Sequence, residues 1–165
     1  MEKERWDKAK KAAMEGRIDD IDGDIFVRHY GNLKKIQKDY MTKPADAEDV
    51  TGIWIWGAAG VGKSRKAREE YTNLYDKMCN KWWDGYQGEE NVLIDDLDKK
   101  HKVLGHHIKR WCDRYSFLGE VKGGAIQIRP KKIIITSQYP IEDIWDDEPE
   151  TVEAVKRRCQ VIYLE

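Results

Sequence analysis

The alternation of apolar and polar positions changes character once along the chain, near residue 52. Before it, the first fifteen residues are rich in Lys, Glu and Ala and predict a short helix, with Gly16 as its stop. In DGDIFVRHYGNLKKIQKDYM, Phe26, Tyr30, Leu33, Ile36 and Tyr40 recur at helical spacing, with Asp22 or Asp24 available as a cap. Two helices this short are expected to bury such a stripe against the rest of the chain or another subunit. TKPADAEDVT, residues 42–51, is polar, aperiodic and carries Pro44, which predicts a linker.

After it, near-continuous apolar runs take over. GIWIW (52–56), NVLIDD (91–96), KKIIITS (131–137) and QVIYL (160–164) predict buried strands. Helices are expected from about Gly62 to Lys77, over 149–159, and over 102–115 with Val103, Leu104, Ile108, Trp111 and Tyr115 inward. FLGEVKGGAIQIR (117–129) predicts two strands around a Gly-Gly turn. Buried strands alternating with helices make this an α/β chain with a mostly parallel sheet flanked by helices, preceded by a small helical segment. The division is expected at 1–47 and 48–165.

Composition narrows the class. Lys and Arg number 30 against 31 Asp and Glu, a formal net charge of -1, which excludes the overall basic field of a histone-like binder. A local phosphate-binding patch remains compatible, because affinity depends on where the charges sit. Cys79, Cys112 and Cys159 are far apart and odd in number, against a disulfide framework or a structural zinc. His101, His106 and His107 lack metal-ligand spacing. No apolar run is long enough to span a membrane, and MEKERWDKAKK lacks the apolar core of a signal peptide. An intracellular protein without a membrane partner is expected.

The candidate chemistry begins at Gly57-Ala58-Ala59-Gly60-Val61-Gly62-Lys63-Ser64, which matches the phosphate-binding loop G-x-x-x-x-G-K-S between a strand and a helix. That context sets the fold expectation as a P-loop NTPase. Backbone amides and the helix N-terminus suit phosphates. Lys63 is expected on the β- and γ-phosphates of ATP and the Ser64 hydroxyl on Mg²⁺. A second acid on the metal side is expected from a neighbouring strand, and Asp95 and Asp96 close one. Asp95 is assigned to Mg²⁺ and Asp96 to the attacking water. At the end of IIITSQ, Thr136, Ser137 and Gln138 are polar, and Gln138 is assigned to sensing the γ-phosphate. Trp82 and Trp83 could stack bases or the adenine ring, but alternation between packing and exposure is the plainer reading.

After the loop, NKWWDGYQGEENVLIDD (80–96), VKGGAIQIRPKKIIITSQYP (121–140) and VKRRCQVIYL (155–164) occur in this order. Together they resemble the superfamily 3 helicase domain of replication initiator (Rep) proteins of circoviruses and related circular single-stranded DNA viruses. The resemblance implies an AAA+-like ATPase that forms a hexameric ring on single-stranded DNA, moves 3′ to 5′ and is preceded by a helical oligomerisation segment. It makes Gly57–Ser64 the Walker A motif and Asp95–Asp96 the Walker B pair. Lys122, Gly123 and Gly124 fall on the pore hairpin that contacts DNA. Gln138 stands where the family usually has Asn. Arg157 and Arg158 lie where the family has its arginine finger, with Arg158 the expected finger. Tyr40–Lys43 matches the nicking pattern Tyr-x-x-Lys, but no His-hydrophobe-His motif precedes it, and the endonuclease domain is expected to be absent. A viral copy implies the host nucleus. Two other readings stay open: a P-loop phosphotransferase on a small molecule, and a catalytically silent DNA-binding or oligomerising relic.

Overall fold

A computed structural model describes residues 1–165, which form two compact units, Met1–Lys43 and Pro44–Glu165. The first unit holds α1 (Glu2–Met14), a 3-10 turn at Ile18–Asp20, and α2 (Gly23–Asp39). Contrary to expectation, these helices bury their apolar positions against each other. Ala9, Ala12 and Ala13 pack on Ile18, Ile21, Ile25 and Leu33. The alanines let the backbones approach closely, so a very small core suffices. Phe26 and Ile36 of the expected stripe flank this core, whereas Tyr30 and Tyr40 lie outside it, 48% and 58% exposed. A non-helical residue, His29 (φ −124°, ψ 21°), breaks the periodicity of α2. Neither Asp22 nor Asp24 caps α2 through its side chain; they receive Arg5 at 2.9 and 2.5 Å instead.

The second unit begins before the expected boundary, since the Ala47 amide donates to the Arg114 carbonyl and Asp46 accepts from the Ser116 amide. Its elements are β1 (Gly52–Trp56), α3 (Lys63–Glu70), β2 (Leu74–Lys77), β3 (Asn91–Leu97), α4 (Gly105–Trp111), β4 (Phe117–Val121), β5 (Gly124–Ile128), β6 (Lys132–Ser137), α5 (Ile141–Ile144), α6 (Pro149–Arg158) and β7 (Cys159–Tyr163). Five strands form one parallel sheet in the order β2-β3-β6-β1-β7, while β4 and β5 pair as a separate antiparallel hairpin.

Both faces of the central strands are covered, which explains their continuous apolar runs. Ile53, Ile55, Leu93 and Ile134 pack with Ala67 of α3 on one face. Trp54, Val92, Ile94, Ile133 and Ile135 pack on the other with Ile108 and Trp111 of α4, Val155 of α6, and Trp83, Phe117 and Ile128 of the hairpin region.

Two sequence expectations need correction here. The helix after the phosphate loop ends at Glu70, and Leu74–Lys77 is an extra edge strand. The helix expected over 102–115 is a 3-10 segment, Lys99–Leu104, followed by α4, which ends at Trp111. Val103 and Tyr115 are therefore exposed rather than inward. Trp82 and Trp83 do split between half-burial and full burial.

Burial of Lys77 shapes the region beside β2. It is 2% exposed, with Nζ 5.2 and 4.6 Å from the ring centres of Trp83 and Trp111. The ammonium donates to the carbonyls of Met78 and Asn80 and has no carboxylate partner. The indole faces offset part of the desolvation cost. Burial still pushes Lys77 from 10.5 down to about 8. Between those values the folded chain has released a proton that the unfolded chain retains, so stability from this group rises as pH rises through that window. Unfolding free energies from denaturant titrations between pH 7 and 10 should rise more steeply in the native chain than in Lys77→Met, by up to roughly 3 kcal/mol across the window. Parallel curves for the two proteins would show that Lys77 titrates normally.

Candidate nucleotide and nucleic-acid sites

The phosphate loop occupies the turn between β1 and α3. Gly57 starts it with φ +156°, and a Cβ there would lie 2.3 Å from the Leu164 carbonyl oxygen, so only glycine fits. The Gly57 amide donates to the Ser137 carbonyl, tying the loop to β6. Lys63 is largely buried, and its Nζ donates to the carbonyls of Gly57 and Ala58 at 2.8 and 2.7 Å. No carboxylate neutralises it, which leaves its charge for an anion.

A cleft of about 520 Å³ opens over this loop. Ala59, Gly60, Val61, Gly62, Lys63 and Ser64 line it, with Asp95 and Asp96 from β3 and Gln138 from the end of β6. Gly57 and Ala58 are not among the lining residues; their carbonyls accept from Lys63 Nζ. The expected acids come from β3, which is not adjacent to β1, because β6 runs between them.

Thr136 on β6 organises the acidic pair. Its hydroxyl donates to Asp95 Oδ1 at 2.5 Å and accepts the Asp96 amide at 2.8 Å. Asp96 is left-handed (φ +64°), and the β3–β6 register shifts between Ile94 and Leu97. Aspartate tolerates that conformation better than most residues, and the Thr136 bond satisfies the amide that the irregularity leaves unpaired. Burial pushes the Cys79 thiol up, keeping it protonated as a donor to the Asp95 carbonyl at 3.3 Å. Behind Gln138, Ser137 Oγ donates to the Leu97 carbonyl and accepts the Tyr139 amide, so the end of β6 is anchored.

Thr136 has no role legible in the sequence, and Arg65, which also lines the cleft, stands in no motif. Only the cross-strand register discloses the first. The donor set fits a nucleotide with a divalent cation: a free ammonium and loop amides for phosphate, and the Ser64 hydroxyl with two carboxylates for the metal.

The hairpin carries Lys122 at its tip. The turn residues are Lys122 and Gly123 (φ +88°), with Gly124 already in β5. Lys122 is exposed, and its amide donates to Asp84 at 3.1 Å. The Trp83 amide donates to the Glu120 carbonyl and Lys81 pairs with Glu120 at 3.6 Å, which fixes the hairpin on the 80–86 loop.

The expected finger, Arg158, is bonded within its own chain. Its Nε donates to Asp113 at 3.1 Å and its Nη1 to the Ala154 carbonyl at 2.9 Å. At the junction of α6 with β7 it turns inward, 24% exposed, while Arg157 is exposed without an ion pair.

A family model described as RNA helicase matches residues 53–139, a span holding the phosphate loop, both acids, the hairpin and Gln138. The chain belongs to this superfamily 3 helicase-type family. The chain is similar to replication-associated proteins of circoviruses. It is 40% identical to that of porcine circovirus 2 over 138 residues, 81% of this chain and 43% of the relative. Against beak and feather disease virus the figures are 34% over 139 residues, 84% and 47%. Against porcine circovirus 1 they are 42% over 112 residues, 66% and 35%. The chain thus spans about half or less of the length of these curated relatives. As a helicase-type domain it is a nucleotide- and nucleic-acid-binding one.

Thr136→Val keeps shape but removes both hydroxyl bonds. Nucleotide hydrolysis should fall by about 10- to 100-fold with the melting temperature little changed, as for loss of a group that orients a metal ligand. Wild-type turnover in this variant would show that the acids hold their places unaided.

Proposed function

We propose that this chain is the ATP-hydrolysing DNA helicase module of a replication initiator, working as a homo-hexameric ring that moves 3′ to 5′ on single-stranded DNA. The observation that carries this reading is one cleft uniting Lys63, Ser64, Asp95, Asp96 and Gln138 on a parallel sheet that also supports an exposed lysine hairpin. The similarity to replication-associated proteins supports the replication role. For a virus-borne copy the site of action is the host nucleus.

In this mechanism the loop amides and Lys63 bind the triphosphate. Ser64 and Asp95 would hold Mg²⁺, which would supply charge neutralisation for the triphosphate. Asp96 accepts a proton from the attacking water as the oxygen–phosphorus bond forms, and ADP leaves with inorganic phosphate as the other product. Gln138 donates its amide to the γ-phosphate or the water. Arg157, the free arginine, reaches the site of the next subunit and offsets charge developing on the transferred phosphoryl group. Lys122 contacts DNA phosphates from the hairpin, so six tips around one pore concentrate cationic charge that the net charge of -1 conceals.

Lys63→Ala should abolish ATP hydrolysis. Lys122→Ala should retain much of the DNA-independent ATPase and lose strand unwinding; normal unwinding by that variant would remove the hairpin from the pore.

The arginines separate by a different measurement. Arg157→Ala should lose ATPase activity by about 10³-fold or more at unchanged melting temperature, as for a missing arginine finger. Arg158→Ala should chiefly lower the melting temperature. Light scattering with ATP and single-stranded DNA tests the shared site, since a monomer under every condition is incompatible with an arginine acting between subunits.

A further inference from the structure

The cleft accounts for a triphosphate but not for a base. Its lining is small loop residues, the cations of Lys63 and Arg65, two carboxylates, two hydroxyls and an amide, and it contains no aromatic ring. Sheet order indicates where the base lies. Asp95, Asp96 and Gln138 mark the γ-phosphate end, and they stand on β3 and β6, to one side of β1. β7 is the neighbour on the other side. A triphosphate laid along the loop with its γ end at the acids therefore carries its nucleoside toward β7.

At that end of β7 stands an aromatic pair. Trp56 and Tyr163 are in register across β1 and β7, with ring centres 4.3 Å apart and planes inclined by 40°. Tyr163 is 54% exposed, and its hydroxyl makes no hydrogen bond within the chain. Trp56 is half-buried and directly precedes Gly57. The Leu164 amide donates to the Trp56 carbonyl at 2.9 Å, and the Leu164 carbonyl lies against Gly57. The pair and the start of the phosphate loop thus form one braced corner. A rigid aromatic surface beside a phosphate site suits a base, since every base offers a π-face.

We propose that the Trp56–Tyr163 pair is the platform for the base of the bound nucleoside triphosphate, with Tyr163 in contact and Trp56 backing it. The proposal rests on the phosphate loop's being the triphosphate site.

The test compares binding of Mg-ATP with binding of Mg-tripolyphosphate, which has the phosphate chain but no base, by calorimetry on the full chain. Tyr163→Ala should weaken ATP binding by roughly 5- to 100-fold, the range of one base–aromatic stack, and leave tripolyphosphate unchanged. Tyr163→Phe should restore ATP binding. Unchanged ATP affinity in Tyr163→Ala would overturn the platform, and so would a parallel loss for both ligands, which is the signature of a disturbed strand end. If Lys63→Ala binds both ligands as tightly as the native chain, or the native chain binds neither, the triphosphate site itself is wrong and the platform falls with it.

Discussion

The pairing of β6 between β1 and β3 sets the spacing on which the second unit's chemistry depends. Each parallel neighbour adds a little under 5 Å, so the phosphate loop and the acidic pair stand about 10 Å apart across the sheet. That gap admits phosphate groups between a free ammonium and two carboxylates, where adjacent strands would press Lys63 toward an ion pair with Asp95. The strand in the gap also does the aligning. Thr136 holds Asp95 by its side chain and Asp96 by its backbone, and Gln138 extends from the same strand. Displacing β6 would therefore disturb the acids, the sensor and the Gly57 amide together.

The hairpin depends on a different device. It is not part of the main sheet, and it is held by Trp83, Phe117 and Ile128 packing and by bonds from the 80–86 loop to Glu120. Beneath that loop, buried Lys77 gathers the carbonyls of Met78 and Asn80 between two indoles. Arg129, at the base of the hairpin, donates to the carbonyls of Trp111, Asp113 and Tyr115. Two largely buried cations without carboxylate partners thus serve as backbone organisers, a use suited to long side chains that carry several donors. Arg158 bonds to the side chain of Asp113, which explains why its neighbour Arg157 is the one left free.

Much was legible beforehand where a local pattern and its physical cause coincide. The loop Gly57–Ser64 is a contiguous motif whose conformation is written in its glycines, and the buried strands announce themselves by uninterrupted apolar residues. Failures cluster where local pattern is ambiguous. Leu74–Lys77 continues the polar rhythm of α3 and becomes a strand only because β3 offers an edge. Val103 and Tyr115 fit a helical stripe on paper, but the segment winds first as a 3-10 turn and α4 ends at Trp111, so they rotate outward. In the first unit, alanines carry no strong hydrophobic signal, yet their small size is what lets α1 and α2 close on each other.

The sequence by itself determined that a phosphate-binding loop, an acidic strand end and a glycine-flanked lysine turn belong to one α/β chain, because each is a short-range feature whose residues are neighbours along the backbone. Only the tertiary structure decided which strand lies between the loop and the acids, that Thr136 positions both aspartates, that Arg158 is committed within the chain, and that Tyr163 stands against Trp56. Those are relations between residues distant in sequence. Strand order and register create them, and no local propensity encodes either.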